Sequence, residues 1–355
     1  MSRAAARQAD IVRILRSRVV RGIYAGKVPS GRILAKELGA NVTTINLALA
    51  ELRSLGIVRR EARQGTFVVP PDQREKSGTV MAARLVCQTP FSLDRSAFWQ
   101  SAIIYGFEQG CVARGLPMVL HYSAMGEEAD EVVAYALNAG ASGHCVGTCL
   151  LGPIVIRQAL TLRQAAAPVV AVDWEFEEPI IPSVSFDDLE AGALIAKHLF
   201  SLGHRRIAFV EHLPGDPAMR DRAAGAEKVL AAFGLPPMQR IPAGDDWPVL
   251  SDRILSASPR PTAVITWIAL LADFLISRAA AAGIRVPQDL SVASFYDPRF
   301  VTPKGLTVAA LDFEALGRRA LEALLDDDLW RNPAPRLVPV DRVVGHTTAP
   351  PPSGG

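Results

Sequence analysis

Hydrophobic residues recur at helical spacing in three segments near the start of the chain. The first segment, residues 8–24, places apolar side chains on one helical face and arginines on the opposite face. The apolar positions are Ile11, Ile14, Leu15, Val19 and Ile23, and the arginines are Arg13, Arg16 and Arg21. "VPSG" then breaks the pattern, and Ser30 is suited to cap a second helix that ends near Gly39.

A third helix is predicted over residues 43–55, with Asn41 or Thr43 as its cap and Gly56 as its end. Its expected buried stripe follows the spacing i, i+3, i+4, i+7 and comprises Ile45, Ala48, Leu49 and Leu52. "IVRREARQGTFVV" then predicts two short strands around a turn that contains Gln64-Gly65. Residues 1–70 are therefore expected to form an α+β winged helix-turn-helix head.

Beyond the head, a polar segment containing "PPDQREKSG" predicts a linker over residues 71–82, and strands then alternate with helices. The predicted strands are 83–88, 117–122, 144–148, 168–172, 206–211, 263–266 and 290–295. The predicted helices are 101–113, 128–139, 189–202, 222–233 and 269–282. This alternation over residues 83–346 predicts parallel sheets with helices on both faces, which bind ligands beyond the carboxyl ends of their strands. Residues 347–355 are expected to form a disordered tail.

Charge separates the two parts of the chain. Residues 1–70 contain thirteen Lys/Arg against four Asp/Glu, a net charge of +9, whereas the remainder carries −7. A small basic module on a larger acidic body indicates that the module binds a polyanion. An ordinary solvated basic face would give the same net charge. The 355 residues, 49% of them hydrophobic, are enough for two or three domains with buried cores.

The sequence indicates neither a membrane span nor a secreted protein. No apolar run approaches the ~18 residues that cross a bilayer, and residues 1–20 lack the apolar core and cleavage site of a signal peptide. We therefore expect the chain to stay in the cytoplasm. Cys87, Cys111, Cys145 and Cys149 show no CxxC spacing and are expected to be buried thiols.

An enzyme and a transport protein are the rival interpretations. The chain has no GxGxxG after a strand, no GxxxxGK[ST] and no GxSxG, so no catalytic residue and no cofactor is predicted. His144-Cys145 with Cys149 would suit a metal, but alternating positions on a buried strand favour core packing, and no metal site is predicted. The missing signal peptide and the basic head argue against a solute-binding protein for transport.

The head resembles the DNA-binding domain of the GntR family of bacterial repressors. The resemblance runs without a gap through "VPSGRILAKELGANVTTINLALAELRSLGIVRREARQGTFV". It implies that the third helix lies in the major groove of double-stranded operator DNA and that the wing enters the minor groove. The residues it places at the DNA are Ser30, Arg32, Asn41, Thr43, Thr44, Asn46, Arg63, Gln64, Gly65 and Thr66.

These residue types suit their implied roles. Thr43 and Thr44 suit phosphate contacts at the positive end of a helix, and Asn46 suits an adenine edge. The chain departs from the family at Val42 and Leu47, where arginine is frequent. Val42 is able to touch a thymine methyl group, and Leu47 is expected to pack against the wing or the first helix.

The body resembles the effector-binding core of the LacI/GalR family, which is similar to periplasmic sugar-binding proteins. The resemblance is carried by "PVVAVDWEF", "IPSVSFDDLEAGALIAKHLFSLGHRRIAFV", "DRAAGAEKVLAAFGL" and "GIRVPQDLSVASFYD". It implies an α/β core of two doubly wound parallel-sheet lobes that close around a small molecule. GntR-type heads on LacI-type cores occur among bacterial sugar-utilisation repressors, the arabinose repressor among them. The family's hinge helix is missing, and the linker stands in its place.

By this resemblance, Arg222 falls on an effector-contacting arginine, with a structural salt bridge as the alternative. The other implied effector-contacting residues are Trp99, Trp174, Asp187, Trp247, Trp267, Tyr296 and Asp297. Where the family has an Asn-Asp pair that binds hydroxyls, this chain has Ile268-Ala269. This difference argues against an ordinary monosaccharide in the usual pose, and a core without any effector stays open.

Together, these features predict a homodimeric transcriptional regulator whose operator affinity is controlled by a small-molecule effector, a sugar or related metabolite. Repression is the commoner outcome in both parent families. Two alternatives remain open: an activator, and a cytoplasmic binding protein whose core serves only for dimerisation. The dimer is expected to form through the first lobe, where the helix over residues 101–113 lies.

Overall fold

The protein is described here from a computed structural model. The described residues are 3–20, 22–24, 26–70, 73, 81–88, 98–123, 129–141, 145–165, 167–211, 215–244, 246–300 and 305–352. Most of the predicted linker, together with His144, lies outside these residues. The chain divides into two compact units: unit 1 is Met1–Phe91, Ala102–Val184 and Glu314–Arg336, and unit 2 is Ser92–Ser101, Ser185–Phe313 and Leu337–Gly355.

The head within unit 1 is a winged helix, as the sequence predicts. Its helices are α1 (Arg3–Val20), α2 (Gly31–Glu37) and α3 (Val42–Ser54), and its strands are β1 (Lys27–Val28), β2 (Val58–Glu61) and β3 (Gly65–Val68). The strands form an antiparallel sheet of order β1-β3-β2, in which Arg60 pairs with Thr66. Ile45, Ala48 and Leu52 of the predicted stripe are buried, while Leu49 is half-buried.

Helix α1 differs from its prediction in two ways. It ends at Val20, so that Ile23 lies beyond the helix and is exposed rather than part of the buried face. Arg16, expected on the exposed arginine face, is buried together with Val12 and Ser17. The reason is that α1 contacts α3 of the head and also the first lobe of the core, so two of its faces are covered.

The first lobe is built on a sheet of order β14-β8-β7-β6-β4-β5. Its strands are β4 (Ala82–Cys87), β5 (Met118–Tyr122), β6 (Cys145–Leu151), β7 (Val169–Val172), β8 (Ser183–Phe186) and β14 (Pro335–Val338). Its helices are α4 (Phe98–Val112), α5 (Ala129–Ala141), α6 (Ile156–Gln164), α11 (Phe313–Leu324) and α12 (Asp327–Arg331). The pairings among β4 to β8 are parallel, as the alternation predicts.

The second lobe is built on a sheet of order β10-β9-β11-β12-β13-β15, parallel except between β13 and β15. Its strands are β9 (Ile207–Glu211), β10 (Gln239–Pro242), β11 (Ala263–Thr266), β12 (Ser291–Tyr296), β13 (Thr307–Ala310) and β15 (Val343–Val344). Its helices are α7 (Asp188–Ser201), α8 (Pro217–Ala232), α9 (Trp247–Leu255) and α10 (Ala269–Ala281). The predicted fold, a winged helix followed along the chain by two doubly wound lobes, is confirmed.

Two helix pairs approach at backbone contact because glycines lie where they cross. A Cβ atom at Gly192 of α7 would lie 1.8 Å from the carbonyl oxygen of Arg222 on α8. In the first lobe, a Cβ atom at Gly106 of α4 would lie 2.0 Å from the carbonyl oxygen of Glu314 on α11. No larger residue fits at either position without moving a helix.

The tail predicted to be disordered is instead bonded to the second lobe over the residues that the structure describes. The Thr347 hydroxyl donates to the carbonyl oxygen of Val292 at 2.6 Å. The Ala349 amide donates to Ser291 Oγ at 3.1 Å, and the Ala349 carbonyl accepts from the His204 ring at 2.9 Å. Over residues 347–349 the structure therefore differs from the expected disorder, because side chains of β12 and of the segment before β9 bond to the tail's polar groups.

Candidate nucleic-acid interface and effector-contacting residues

The N-terminus of α3 is fixed by the side chain of Asn41. Asn41 has extended backbone angles, and its Oδ1 accepts from the Thr44 amide at 2.7 Å and from the Thr44 hydroxyl at 2.8 Å. This is a regular N-cap, and it orients the first turn of the helix. The Thr44 hydroxyl proton is therefore used inside the cap, and Thr44 is half-buried, whereas Thr43 is exposed.

One open groove brings part of the predicted DNA-contacting set together. The groove has a volume of about 520 Å³ and lies between α3 and the wing. Predicted residues in its lining are Ser30, Asn46, Arg63, Gln64, Gly65 and Thr66. Arg32, Asn41, Thr43 and Thr44 do not line it; Arg32, Asn41 and Thr43 are exposed elsewhere on α2 and at the start of α3. Ser30 occupies the N-cap position of α2 but makes no side-chain bond there.

Three further cations line this groove that the resemblance does not place at the DNA: Lys27, Arg53 and Arg60. With Arg63 they make four basic side chains, and no acidic residue is in the lining. The Lys27 ammonium also lies 5.7 Å from the ring centre of Phe67 on the neighbouring strand. The excess of Lys/Arg in residues 1–70 was the available signal, but only the fold shows which cations share a surface. Such a surface suits a phosphate backbone.

The tip of the wing depends on left-handed backbone geometry. Arg63 has a φ of 64° and Gly65 a φ of 117°. A positive φ costs little for glycine but is unusual for arginine. The Gln64 amide donates to the carbonyl oxygen of Glu61 at 3.2 Å, which closes the turn between β2 and β3. This tight turn presents the exposed side chains of Arg63 and Gln64.

Val42 and Leu47 are both exposed, by 41% and 52%. The expected packing of Leu47 against the wing or the first helix is therefore wrong. Two residues along a helix correspond to a rotation of about 200°, so Leu47 points away from the face on which Ile45 is buried. Helix α3 thus carries two exposed apolar side chains, and Leu47 directly follows Asn46.

In unit 2, Arg222 is buried and paired. Its Nε lies 2.7 Å from Asp188 Oδ1, and its guanidinium carbon lies 4.7 Å from the ring centre of Phe295. Desolvation raises the pKa of Asp188 to about 6, against the opposing effect of the Arg222 charge. Both members of this pair belong to unit 2. Asp188 was not selected from the sequence, although it adjoins the predicted Asp187.

Trp99 and Tyr296 belong to an aromatic cluster around Phe313. The ring centres of Trp99 and Tyr296 lie 6.4 and 5.5 Å from that of Phe313, and Phe186 packs on it edge-on at 5.4 Å. Burial raises the pKa of Tyr296 to about 12, so its phenol stays neutral. Phe313 was missed because the sequence pattern gave no prediction for α11.

Asp297 is neutralised by a neighbour on its own segment. It is 1% exposed, and its carboxylate accepts from Arg299 Nη2 at 2.6 Å and from Arg299 Nε at 3.0 Å. The Arg299 amide also donates to it at 2.9 Å. The carboxylate therefore already has charged and main-chain donors within the second lobe.

The remaining predicted residues are spread over both units. Trp247 and Trp267 pack edge-on at 6.0 Å, and Phe274 also lies 6.0 Å from Trp247. Asp187 caps α7 by accepting from the Glu190 amide at 3.0 Å, which is a structural role. Trp174 is half-buried in unit 1, while the other predicted effector residues belong to unit 2. Their contact with an effector stays a prediction.

All four cysteines are buried free thiols. In the part of the chain that the structure describes, no group of three or more His, Cys, Asp or Glu side chains is placed to hold a metal ion. Among the same residues, no helix combines the length and apolar character that a membrane span requires.

Two family models match separate parts of the chain. The model for bacterial regulatory proteins of the gntR family matches residues 7–68, which form the head. The model for a periplasmic binding protein-like domain matches residues 196–348.

Curated relatives of the chain are transcription repressors. The HTH-type transcriptional repressor PurR of Photobacterium profundum is 23% identical over 318 residues, which covers 82% of this chain and 90% of the relative. The PurR repressor of Erwinia tasmaniensis is 26% identical over 316 residues, covering 82% and 88%.

Solved structures share the fold. A LacI family transcriptional regulator from Enterococcus faecium with bound ribose has a TM-score of 0.60 and 21% identity, covering 75% of this chain and 99% of that one. A transcriptional regulator CelR–cellobiose complex has a TM-score of 0.61 and 19% identity, covering 90% of this chain and 100% of that one.

Proposed function

We propose that the chain is a bacterial transcription regulator that joins a GntR-type head to a LacI-type, periplasmic-binding-protein-like core, and that it represses its operator under the control of a small-molecule effector. The relatives that it matches over 82% of its length are repressors. We assign it no catalytic activity. A DNA-binding role requires access to the chromosome, so the proposal includes a cytoplasmic location.

The observation that carries the proposal is the surface of the head. A capped recognition helix exposes Thr43 and Asn46, and a tight wing presents Arg63 beside it. The groove between them is lined by basic residues without an acidic one. This surface supports a binding mode in which α3 lies in the major groove and the wing contacts the adjacent DNA backbone.

For the effector, two structures of similar fold support the proposal because one holds ribose and the other is a cellobiose complex. The effector of this chain is proposed to lie against the aromatic residues Trp99 and Tyr296 and the buried Arg222. Aromatic faces suit the C–H side of a sugar or a planar ring. Since Arg222 and Asp297 are already paired inside unit 2, stacking is expected to contribute more than hydroxyl recognition.

The DNA-binding part is tested by gel shifts with genomic fragments at two salt concentrations. Wild-type protein should retard specific fragments, and the affinity should fall steeply as salt rises. The double variant Arg32→Ala/Asn46→Ala should weaken binding by about 30-fold or more, since each contact contributes about 1–3 kcal/mol.

The matched control is Arg285→Ala/Gln288→Ala, which removes an arginine and a side-chain amide from unit 2. It should bind the operator like the wild type. Absence of any retarded fragment, or equal binding by both double variants, would contradict the proposal. A thermal-shift screen of sugars, sugar acids and nucleobases then tests the effector part, with Trp99→Ala as the variant expected to lose the response.

We further propose a homodimer that forms through the first lobe. Helix α4 exposes Tyr105 and Val112, and the edge strand β5 exposes Val119, Leu120 and Tyr122. An apolar patch next to a sheet edge is a common protein contact surface. Light scattering after size exclusion should give twice the chain mass, and Tyr105→Asp/Leu120→Asp should reduce it to the mass of one chain.

A further inference from the structure

A cavity lies where the head meets the first lobe, inside unit 1. Asp10, Arg13 and Ile14 of α1 line one side, and Arg163, Trp330 and Arg331 of the lobe line the other. Its volume is about 220 Å³. This is below the range of about 300–1,000 Å³ typical of sites for drug-sized ligands, so a small ion with a few waters fits it better than a nucleotide does.

The lining carries more positive than negative charge. Three guanidinium groups face one carboxylate, that of Asp10, which lies 3.7 Å from Arg13. Arg331 has Asp328 as its partner at 3.6 Å, but the Asp328 side chain is 88% exposed and its pairing is screened by water. Among the described residues, Arg163 has no carboxylate partner and donates to the carbonyl oxygens of Trp330 at 2.6 Å and Arg331 at 3.5 Å.

Two donors in the cavity wall also lack an acceptor within the described part of the chain. They are Arg13 Nε and Trp330 Nε1, and both atoms are buried. The Arg13 guanidinium lies 5.1 Å from the Trp330 ring centre, which partly compensates its charge. Burial lowers the pKa of Arg13; the charges of Asp10 and Asp327 raise it, and that of the nearby Arg331 lowers it. A wall with surplus donors and more guanidinium groups than carboxylates is stabilised by an anion.

We propose that this junction cavity binds a small phosphate-class oxyanion, held between Arg13 of the head and Arg163 and Arg331 of the first lobe. A guanidinium group presents parallel N–H donors that match the oxygens of a phosphate, and three such groups fix its position. The anion is either inorganic phosphate or a small phosphomonoester, because both present the same oxygens.

The location gives the anion a structural role. Arg13 belongs to α1, the helix that contacts both the head core and the first lobe, whereas Arg163 and Arg331 belong to α6 and α12. An ion that bonds to both sides stabilises the docked position of the head by binding linkage. Its effect on operator affinity rests on the proposed function, but the binding of the anion does not.

The experiment is calorimetry and thermal unfolding of the full chain with inorganic phosphate or glycerol 3-phosphate, with sodium chloride and sodium sulfate at equal ionic strength as references. We expect saturable one-site binding of at least one phosphate compound and a rise in Tm that follows its concentration. Arg163→Gln and Arg331→Gln should each weaken binding at least tenfold. The control Arg157→Gln removes an exposed charge from the same helix as Arg163 and should bind like the wild type.

Absence of saturable binding, or equal affinity of the wild type, Arg163→Gln and Arg331→Gln, would overturn the proposal. Equal responses to phosphate, sulfate and chloride would identify an adventitious ion only and would also overturn it. The Arg331→Gln variant keeps the test valid if Arg163→Gln fails to fold. Gel shifts at constant ionic strength with and without phosphate then measure the coupling to DNA, so loss of operator binding is distinguished from loss of anion binding.

Discussion

The hydroxyl of Ser17 in the first helix donates to the main-chain oxygen of Leu325, 308 positions later in the chain, at 2.6 Å. One residue earlier, Arg16 Nη1 donates to the carbonyl oxygen of Cys145 at 2.9 Å. Both bonds are buried, and both join the head to the first lobe. The head is thus docked on the core by specific polar contacts in addition to the covalent linker.

Replacement of Ser17 by alanine should lower the free energy of unfolding by about 1 kcal/mol, because a buried carbonyl loses its donor. The change is measured by urea unfolding followed by circular dichroism. Ser54→Ala is the matched control, since the Ser54 hydroxyl is exposed and bonds to the carbonyl oxygen of Glu51 in its own helix. Equal stability of the two variants would show that the Ser17 contact does not hold the head in place.

The two glycines of α4 should respond differently to alanine. At Gly106 the new Cβ would meet the backbone of Glu314 at 2.0 Å, whereas at Gly110 it would meet a terminal side-chain carbon of Leu321 at 2.9 Å. Gly106→Ala should therefore cost about 3 kcal/mol or more, since two helices must separate. Gly110→Ala should stay within about 1 kcal/mol of the wild type, because Leu321 is able to change rotamer and alanine favours the helix. Thermal unfolding of both variants measures the difference.

The regular parts of the fold followed from the sequence because their signals are local. The stripe Ile45, Ala48 and Leu52 and the strands of the core were predicted within a few residues of their observed bounds. Strands such as Ser183–Phe186 and Thr307–Ala310 were missed, since four residues carry little periodic signal.

Other features depend on contacts between distant segments and have no local signal. From the sequence alone, Arg16 is expected to be solvated, but in the structure the first lobe buries it and Cys145 accepts its hydrogen bond. The tail is expected to be disordered, but Ser291 and His204 form hydrogen bonds with it. The predicted DNA-contacting residue Asn46 was reached through resemblance. In contrast, the set of cations that line one groove with it, including Lys27 and Arg60, required the fold.

The four thiols should be unreactive in the native protein. Desolvation raises the pKa of Cys87 and of Cys111 to about 12, and it also raises the pKa of Cys145 and Cys149. At pH 8 the thiolate that reacts with disulfide reagents is then a minute fraction of each group. We expect no rapid labelling by Ellman's reagent in buffer and four thiols in guanidinium chloride. A Ser54→Cys variant provides an exposed thiol that should react within the dead time.

Acidification should lower the stability of the protein through His204. Burial lowers the pKa of His204 below its ordinary value of 6.5; the hydrogen bond to the Ala349 carbonyl raises it, and His198 and Arg205 add smaller lowering contributions. Because the folded state favours the neutral ring, the contribution to stability is present above pH 6.5 and is lost as pH falls through the folded pKa. Unfolding free energies measured from pH 7.5 to 5 should decline in the wild type, and His204→Asn should reduce that decline.

Ser291→Ala provides the control for this pH effect. Ser291 Oγ bonds to the same tail residue, Ala349, but does not titrate in this range. The variant should be less stable at every pH while keeping the slope of the wild type. If His204→Asn retains the full slope, the pH dependence arises from another group.

The exposed Leu47 offers a direct measure of how close α3 comes to DNA. Because it is 52% exposed, Leu47→Arg should leave stability within about 0.5 kcal/mol of the wild type. On a helix in the major groove, the added charge should tighten binding to any duplex and steepen the logarithmic salt dependence by about one ion. Leu337→Arg adds the same charge at a similarly exposed leucine of β14 and should change neither quantity. Filter binding across a salt series measures both slopes, and identical slopes for the two variants would place Leu47 away from the DNA.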